Sequence, residues 1–351
     1  MVWRCAAIDH GVAFHNDGTI APCCLISHTY KKPISEINNN PFADLKESTP
    51  PVVCQVCVDA DNRNIQSYRR RFNEIKSDRP GFQFVDIRNT NVCNFKCRTC
   101  GPQSSHLWAT ELGKSIPIKH FSLSDYKHHI VNDSVQEIYY TGGEPLINPE
   151  HWELLEELTV TGMSKNITLQ YSSNMSVLKF KDKDIFDVWK NFKSVKIMAS
   201  IDAIGEKFDH IRSGGTWAVA NENIQALRKH NIKLTISATV SILNLWFLEE
   251  LLIFFNDQNI SVELTNLYYP DYLSLTVIPD ELRTLALNCV DNIEKIYHDK
   301  HKCDFMREQL NNNINQSLFR DTVMQTLLLD KIRGEKLFDF LPFRDYALKL
   351  V

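Results

Sequence analysis

From Phe82 onward, apolar and polar positions follow two alternating modes. Short runs rich in β-branched and aromatic residues, at 84–88, 137–141, 167–172, 195–201, 234–240 and 262–267, predict strands. Between them, segments 104–112, 152–158, 184–192, 218–230 and 245–256 carry apolar residues at helical spacing. Joining parallel strands needs a crossover of a dozen or more residues, so this alternation predicts an α/β chain with a parallel sheet. Six strands fit an open or partial barrel as well as a doubly wound sheet. In either case the loops after the strand C-termini are where chemistry should sit.

The flanks differ. Residues 1–80 are loop-rich, with Asn16-Asp17-Gly18 as a hairpin signal, because Asp-Gly supplies the positive φ of a tight turn. Asn40-Pro41 reads as the start of a short helix over 42–46, and 64–75 as a longer one ending near Arg79-Pro80-Gly81. Beyond Pro279 the pattern is helical, through Leu282, Leu285 and Leu287 and again through 323–329. Three regions are therefore expected: 1–80, 81–279 and 280–351.

Charge and composition narrow the function classes. With 39 Lys+Arg against 43 Asp+Glu, the net charge of -4 argues against broad phosphate-backbone binding, so nucleic acid is not the expected partner. Hydrophobic content of 43% and charged content of 23% are those of a globular chain. No basic-then-apolar leader pattern opens the chain, and the most apolar stretch, 245–255, is broken by Glu249 and Glu250. At 11 residues it falls short of the ~20 a membrane span needs. A cytoplasmic location is the expectation, and there clustered thiols point to metal or redox chemistry rather than disulfides.

Eight of the ten Cys lie in the first 100 residues. Cys93, Cys97 and Cys100 follow the first strand of the alternating region, where a barrel loop would place them. A structural zinc site is closed by four ligands, whereas three thiolates leave one coordination position open for reaction. A [4Fe–4S] cluster normally takes four Cys, so three leave one iron free. Further strand ends carry polar groups: Thr141-Gly142-Gly143-Glu144-Pro145, then Ser172 to Asn174, then Ser200-Ile201-Asp202, with Arg212 beyond. Paired glycines let backbone approach a ligand closely. Glu144 offers a carboxylate to an ammonium, and Arg212 offers a fork to a carboxylate.

Together, the triplet and these strand ends resemble the radical S-adenosylmethionine (SAM) superfamily. The resemblance implies a partial (β/α)6 TIM-like barrel with a small Cys-rich N-terminal module and a C-terminal helical extension. It further implies a [4Fe–4S] cluster on Cys93, Cys97 and Cys100, with SAM on its open iron. Gly142, Gly143, Glu144 and Pro145 would meet the SAM amino group, Ser172 and Asn174 the ribose, and Arg212 the carboxylate, with Ser200 and Asp202 as further SAM-binding residues. The residue before the third Cys is often aromatic in that superfamily and here is Thr99, which leaves adenine packing to Phe95 or Val240.

Cys5, Cys23, Cys54 and Cys57 form a second set, and four thiolates are the number that closes a site. Their spacing resembles the twitch module, a shortened relative of SPASM, which carries an auxiliary [4Fe–4S] cluster. Structural zinc fits the same spacing. Cys24 is an alternative to Cys23, Cys289 and Cys303 are expected to be inert buried thiols, and His10 and His15 to be surface residues of the hairpin.

The implied activity is reductive cleavage of SAM followed by hydrogen abstraction from a peptide or small-molecule substrate. Flavodoxin or ferredoxin would serve as reductant, and the auxiliary cluster would assist electron transfer or substrate binding. Tyr139, Glu263, Asn266 and Tyr268 are candidates to face the substrate. The competing class is a non-catalytic iron–sulfur or zinc protein that binds a partner, a reading that leaves the polar strand ends unexplained.

Overall fold

The computed structural model describes residues 3–38, 40–46, 49–75, 78–113, 119–267, 269–312 and 316–350, the side chains of 316 and 317 excepted. Tyr268 lies outside the described residues. In chain order the strands are β1 (Gly11–His15), β2 (Thr19–Ala21), β3 (Lys32–Pro33), β4 (Phe84–Arg88), β5 (Glu137–Tyr140) and β6 (Thr168–Ser173). They continue with the short pair β7 (Lys179–Phe180) and β8 (Lys183–Asp184), then β9 (Ser194–Ser200), β10 (Lys233–Val240) and β11 (Ser261–Asn266). All six strands expected from the alternating region are present, with ends shifted by a residue or so. The fold class is α/β with a mostly parallel sheet and a helical C-terminal region. Two compact units divide the chain: residues 1–93, 115–173 and 177–196, and residues 94–114, 174–176 and 197–351.

In the first unit the strand order is β3-β2-β1-β4-β5-β6. β4, β5 and β6 are parallel, as is β1 to β4 with Gly11 opposite Phe84 and His15 opposite Arg88. β2 turns back antiparallel through the expected hairpin, where Gly18 takes φ 76°. The side-chain period of two sorts the faces. Val85, Ile87, Ile138, Tyr140, Leu169 and Tyr171 are buried on one face, while Asp86, Arg88, Tyr139, Gln170 and Ser172 alternate onto the other.

The apolar face is covered mainly by three helices of this unit: α5 (Leu123–Tyr126), α6 (Pro149–Val160) and α7 (Ile185–Trp189). Asn148 caps α6 by accepting from the Glu150 N–H, and Pro149 opens it, where its missing N–H costs nothing. Trp152, Leu155 and Leu158 then point inward, each fully buried aliphatic side chain contributing about 1.5–3 kcal/mol.

The hairpin's first arm does more than the Asp-Gly signal implies, since it is an interior strand with β2 on one side and β4 on the other. That placement corrects the expectation for His15, which is buried, not on the surface. Burial, with Lys31 and Arg88 nearby, lowers its imidazole pKa to about 4. Upstream of β1 lies α1 (Ala6–His10); the helix expected over 64–75 is present as α3 (Tyr68–Ile75), shorter at its start, and is preceded by a further helix, α2 (Gln55–Asn62). Asn64 separates them at φ 56°, a left-handed conformation that Asn tolerates better than most residues.

In the second unit β10 and β11 run parallel, with Val240 opposite Asn266. β9 lies beside β10, and just beyond it the Ile201 N–H donates to the Ser237 carbonyl at 3.0 Å. The helices of this unit are α4 (His106–Glu111), α8 (Gly205–Ile211), α9 (Trp217–Lys229) and α10 (Leu248–Asn256), followed by α11 (Asp280–Ile296), α12 (Lys300–Asn311), α13 (Gln316–Arg333), α14 (Leu337–Phe340) and α15 (Arg344–Ala347). The apolar stretch around α10 buries Leu248, Leu251, Leu252 and Phe255 and leaves Glu249 and Glu250 exposed. Among the described residues no helix is long and apolar enough to cross a membrane.

Candidate active site

Four thiols line one apolar cavity in the first unit: Cys5, Cys23, Cys54 and Cys57, with Trp3, Ile8, Ile26 and Phe72 among the surrounding side chains. Three separate chain segments bring them there. Cys5 directly precedes α1, whose Ala6 N–H is taken by the Asn73 Oδ1 of α3 at 2.7 Å. Cys23 follows β2, Cys54 ends a short 3-10 turn, and Cys57 sits inside α2. Cys5 is therefore at a helix start rather than on the hairpin, and Asn73 satisfies one of the orphan N–H groups of that start from a distant helix. Ala6, Ala7, Phe72 and Phe84 form the packed base on which Cys5 and Cys23 rest.

Burial, with Cys57 and Cys54 nearby, raises the Cys5 thiol to about 12. Cys23 rises to about 12 by burial and by Cys5 and Cys57, and Cys54 to about 11 by burial and Cys57. The donor set is all thiol, which suits a soft metal or an iron–sulfur cluster, and loading would expel the thiol protons. Among the described residues, no group of three or more His, Cys, Asp or Glu is arranged to hold a single metal ion. Cys24 does not line this cavity. Burial and Asp86 raise its thiol to about 12.

Cys93 closes the first segment of that unit, and the residues before it are tied to the Gly-Gly-Glu-Pro turn. Gly143 N–H donates to the Thr90 carbonyl at 3.0 Å and Glu144 N–H to the Val92 carbonyl at 2.9 Å. A Cβ on Gly143 would overlap the Val92 carbonyl, and Gly142 takes φ 88°, so both glycines are needed for the turn to lie this close. The carboxylate of Glu144 is buried and oriented by Leu146 N–H at 3.1 Å and the Ser173 hydroxyl at 3.0 Å. Tyr139 and Ser172 share a 2.6 Å hydrogen bond on the polar face of the same sheet.

In the second unit, Cys97 and Cys100 lie in the segment 94–101 beside Arg212 and Asp202. Arg212 Nε is 2.9 Å from Asp202 Oδ2, and its Nη1 is 3.8 Å from the Cys97 sulfur. Thr239 N–H donates to Asp202 Oδ1 at 2.7 Å. Burial raises the Cys97 thiol to about 12, with Arg212 pulling the other way and Cys100 adding to the rise. Burial raises Cys100 as well. A guanidinium beside a buried thiol suits a site whose sulfurs become thiolates on binding iron.

Other expected residues divide by position. Asn174 is buried, and its amide donates to Asn94 Oδ1 at 2.9 Å while Asn94 donates to the Ser176 hydroxyl at 2.9 Å. Ser200 ends β9 half-buried. Phe95 is buried under the Gly214-Gly215 turn, where any side chain would strike its ring, and Val240 is fully buried. Asn266 is buried with Oδ1 left without a hydrogen-bond partner, whereas Glu263 is exposed and alternates onto the opposite face of β11. Sequence reasoning missed Asn94 and Ser176. Asn94 directly follows the first Cys of the triplet, the one local signal that could have pointed to it.

Residues 87–252 match the Radical SAM superfamily, for which a [4Fe–4S] cluster and SAM are the implied cofactors. A curated relative, the GTP 3',8-cyclase of Campylobacter lari, is 26% identical over 102 residues, which cover 29% of this chain and 30% of that enzyme. The chain thus matches less than a third of that relative's length. Among solved structures, anSMEcpe with bound AdoMet is 17% identical at a TM-score of 0.47, covering 72% of this chain and 68% of the other. Streptococcus suis SuiB bound to S-adenosylmethionine is 13% identical at a TM-score of 0.42, covering 82% and 68%.

Proposed function

We propose that the chain is a radical SAM enzyme that holds its reactive cluster on Cys93, Cys97 and Cys100. The reading is carried by the Gly142–Glu144 turn, hydrogen-bonded to Thr90 and Val92 immediately before Cys93. When bound, the cluster supplies the electron that cleaves SAM, and the adenosyl fragment released abstracts hydrogen from the substrate. The chain's residues do the holding. Glu144, fixed by Leu146 N–H and Ser173, presents an acceptor to the SAM ammonium. Arg212, steadied by Asp202, presents a cation to its carboxylate. The polar face bearing Tyr139 and Ser172 is where a substrate would be oriented, and Asn266 offers an unpaired carbonyl oxygen.

In the same reading, the four-thiol cavity holds a twitch-like auxiliary cluster that assists electron transfer or substrate binding. The substrate is a peptide or small molecule, and a flavodoxin or ferredoxin delivers the electron. Anaerobically reconstituted protein should bind about eight irons, four per cluster, and form 5'-deoxyadenosine from SAM under dithionite. If wild type forms no such nucleoside, or Cys93→Ala forms as much, the enzyme reading is wrong.

A further inference from the structure

The radical SAM match ends at residue 252, yet residues beyond 320 reach back to the segment that carries Cys97 and Cys100. Arg98, between those two cysteines, has a side chain only 1% exposed. Its guanidinium contacts Asp330 and lies 2.5 Å from Glu335, and it also donates to the carbonyls of His210 at 2.8 Å and Thr326 at 3.2 Å. From the last turn of α13, Arg333 (2% exposed) donates to both carboxylate oxygens of Glu111, at 3.1 and 2.6 Å. It also donates to the Lys96 carbonyl at 2.9 Å and stacks 4.5 Å over the Trp108 ring, whose indole N–H donates to the Cys97 carbonyl at 2.8 Å. Two buried guanidinium groups, each holding several acceptors at fixed angles, are a costly way to pack a helix unless the geometry they fix matters.

We propose that the end of α13 and the turn after it clamp the segment 94–101, with Arg98 and Arg333 as positioning residues for the thiolates of Cys97 and Cys100. The clamp acts through backbone: Lys96 N–H and Arg98 N–H are bonded to the carbonyls of Ser213 at 2.7 Å and Ile211 at 2.8 Å, and the two arginines hold the strip against slipping from them. Neither guanidinium is offered to SAM or substrate, since both are consumed by protein acceptors. This inference rests on the radical SAM reading only for its link to the cluster; the clamp itself is a property of the metal-free chain.

Two full-length variants test it. Arg333→Lys keeps the charge but cannot span Glu111, Lys96 and Ser213 together. The triple variant Arg98→Met, Asp330→Asn, Glu335→Gln removes the buried charges as a set, so no uncompensated ion remains. In the metal-free proteins, hydrogen exchange of the 94–101 amides should accelerate while exchange in β4 to β6 stays at wild-type rates. After reconstitution, SAM cleavage should fall about 10–100-fold, the usual cost in activity of losing partners that orient metal ligands. The SAM-induced change in the reduced cluster's electron paramagnetic resonance signal should shrink with it. Unchanged exchange over 94–101 in both variants overturns the clamp, even if wild type cleaves SAM. Faster exchange in a protein that never loads iron at these cysteines upholds the clamp and sinks only the radical SAM reading.

Discussion

The two cysteine regions are built in opposite ways. The four-thiol cavity draws on three segments that span residues 5–57 and are united by apolar packing around Phe72 and Phe84. The triplet is written within eight residues, and in the second unit the setting of Cys97 and Cys100 is polar and comes from far along the chain, through Arg212 and Arg333. The first arrangement suits a closed site, where four sulfurs in an apolar shell leave little for a ligand to approach. The second suits a reactive one, where a guanidinium stands beside an incomplete set of ligands.

Breaking this contrast should give graded effects. Cys97→Ala should abolish 5'-deoxyadenosine formation outright, whereas Cys54→Ala with Cys57→Ala should leave some SAM cleavage and remove about half the iron, four of about eight. Iron analysis together with a nucleoside assay checks both, and zinc lost with iron unchanged would assign the cavity to a structural metal. Gly143→Ala should be nearly as damaging as loss of a ligand. Its methyl collides with the Val92 carbonyl, so about 1–3 kcal/mol or more of strain must be absorbed by the turn that presents Glu144. SAM titration and thermal unfolding of the variant measure it.

An effect absent at neutral pH belongs to the unit that houses the cavity. His151 is buried, and desolvation lowers its pKa from an ordinary 6.5 to about 3. Because the folded pKa is depressed, the unfolded chain binds the proton first as pH falls. Stability is therefore complete above pH 6.5 and is lost below it, by about 1.4 kcal/mol per pH unit. His151→Gln should flatten the slope of unfolding free energy between pH 6.5 and 4; an unaltered slope would mean the imidazole is not held neutral.

Much of this was readable from residue order alone. The six strands announced themselves because buried parallel strands are dense in β-branched and aromatic residues, and the strand ends Gly142, Ser172 and Asp202 followed from them. The N-terminal region was harder. Val12-Ala13-Phe14 carries the same signal whether it is a free hairpin arm or an interior strand, and only pairing with β4 decides, which is why His15 was misplaced. Asn64 as a helix break and Asn73 as a cap for a helix more than 60 residues earlier depend on tertiary neighbours. Arg98, Arg333, Asp330 and Glu335 had no signal at all, because charges separated by more than 200 residues reveal their pairing only in the fold.

The parallel pairing of β1 with β4 has an evolutionary consequence. Cys5 leads through α1 into β1, and β4 leads directly to Cys93, so the two strands carry one end of each cysteine set in fixed register. A one-residue insertion or deletion within either strand would turn every side chain beyond it to the wrong face, moving Asp86 and Arg88 off the polar side. Length variation in descendants of this sequence should therefore gather in the segment between β3 and α2, where added residues alter no strand register, and be purged from 11–15 and 84–88.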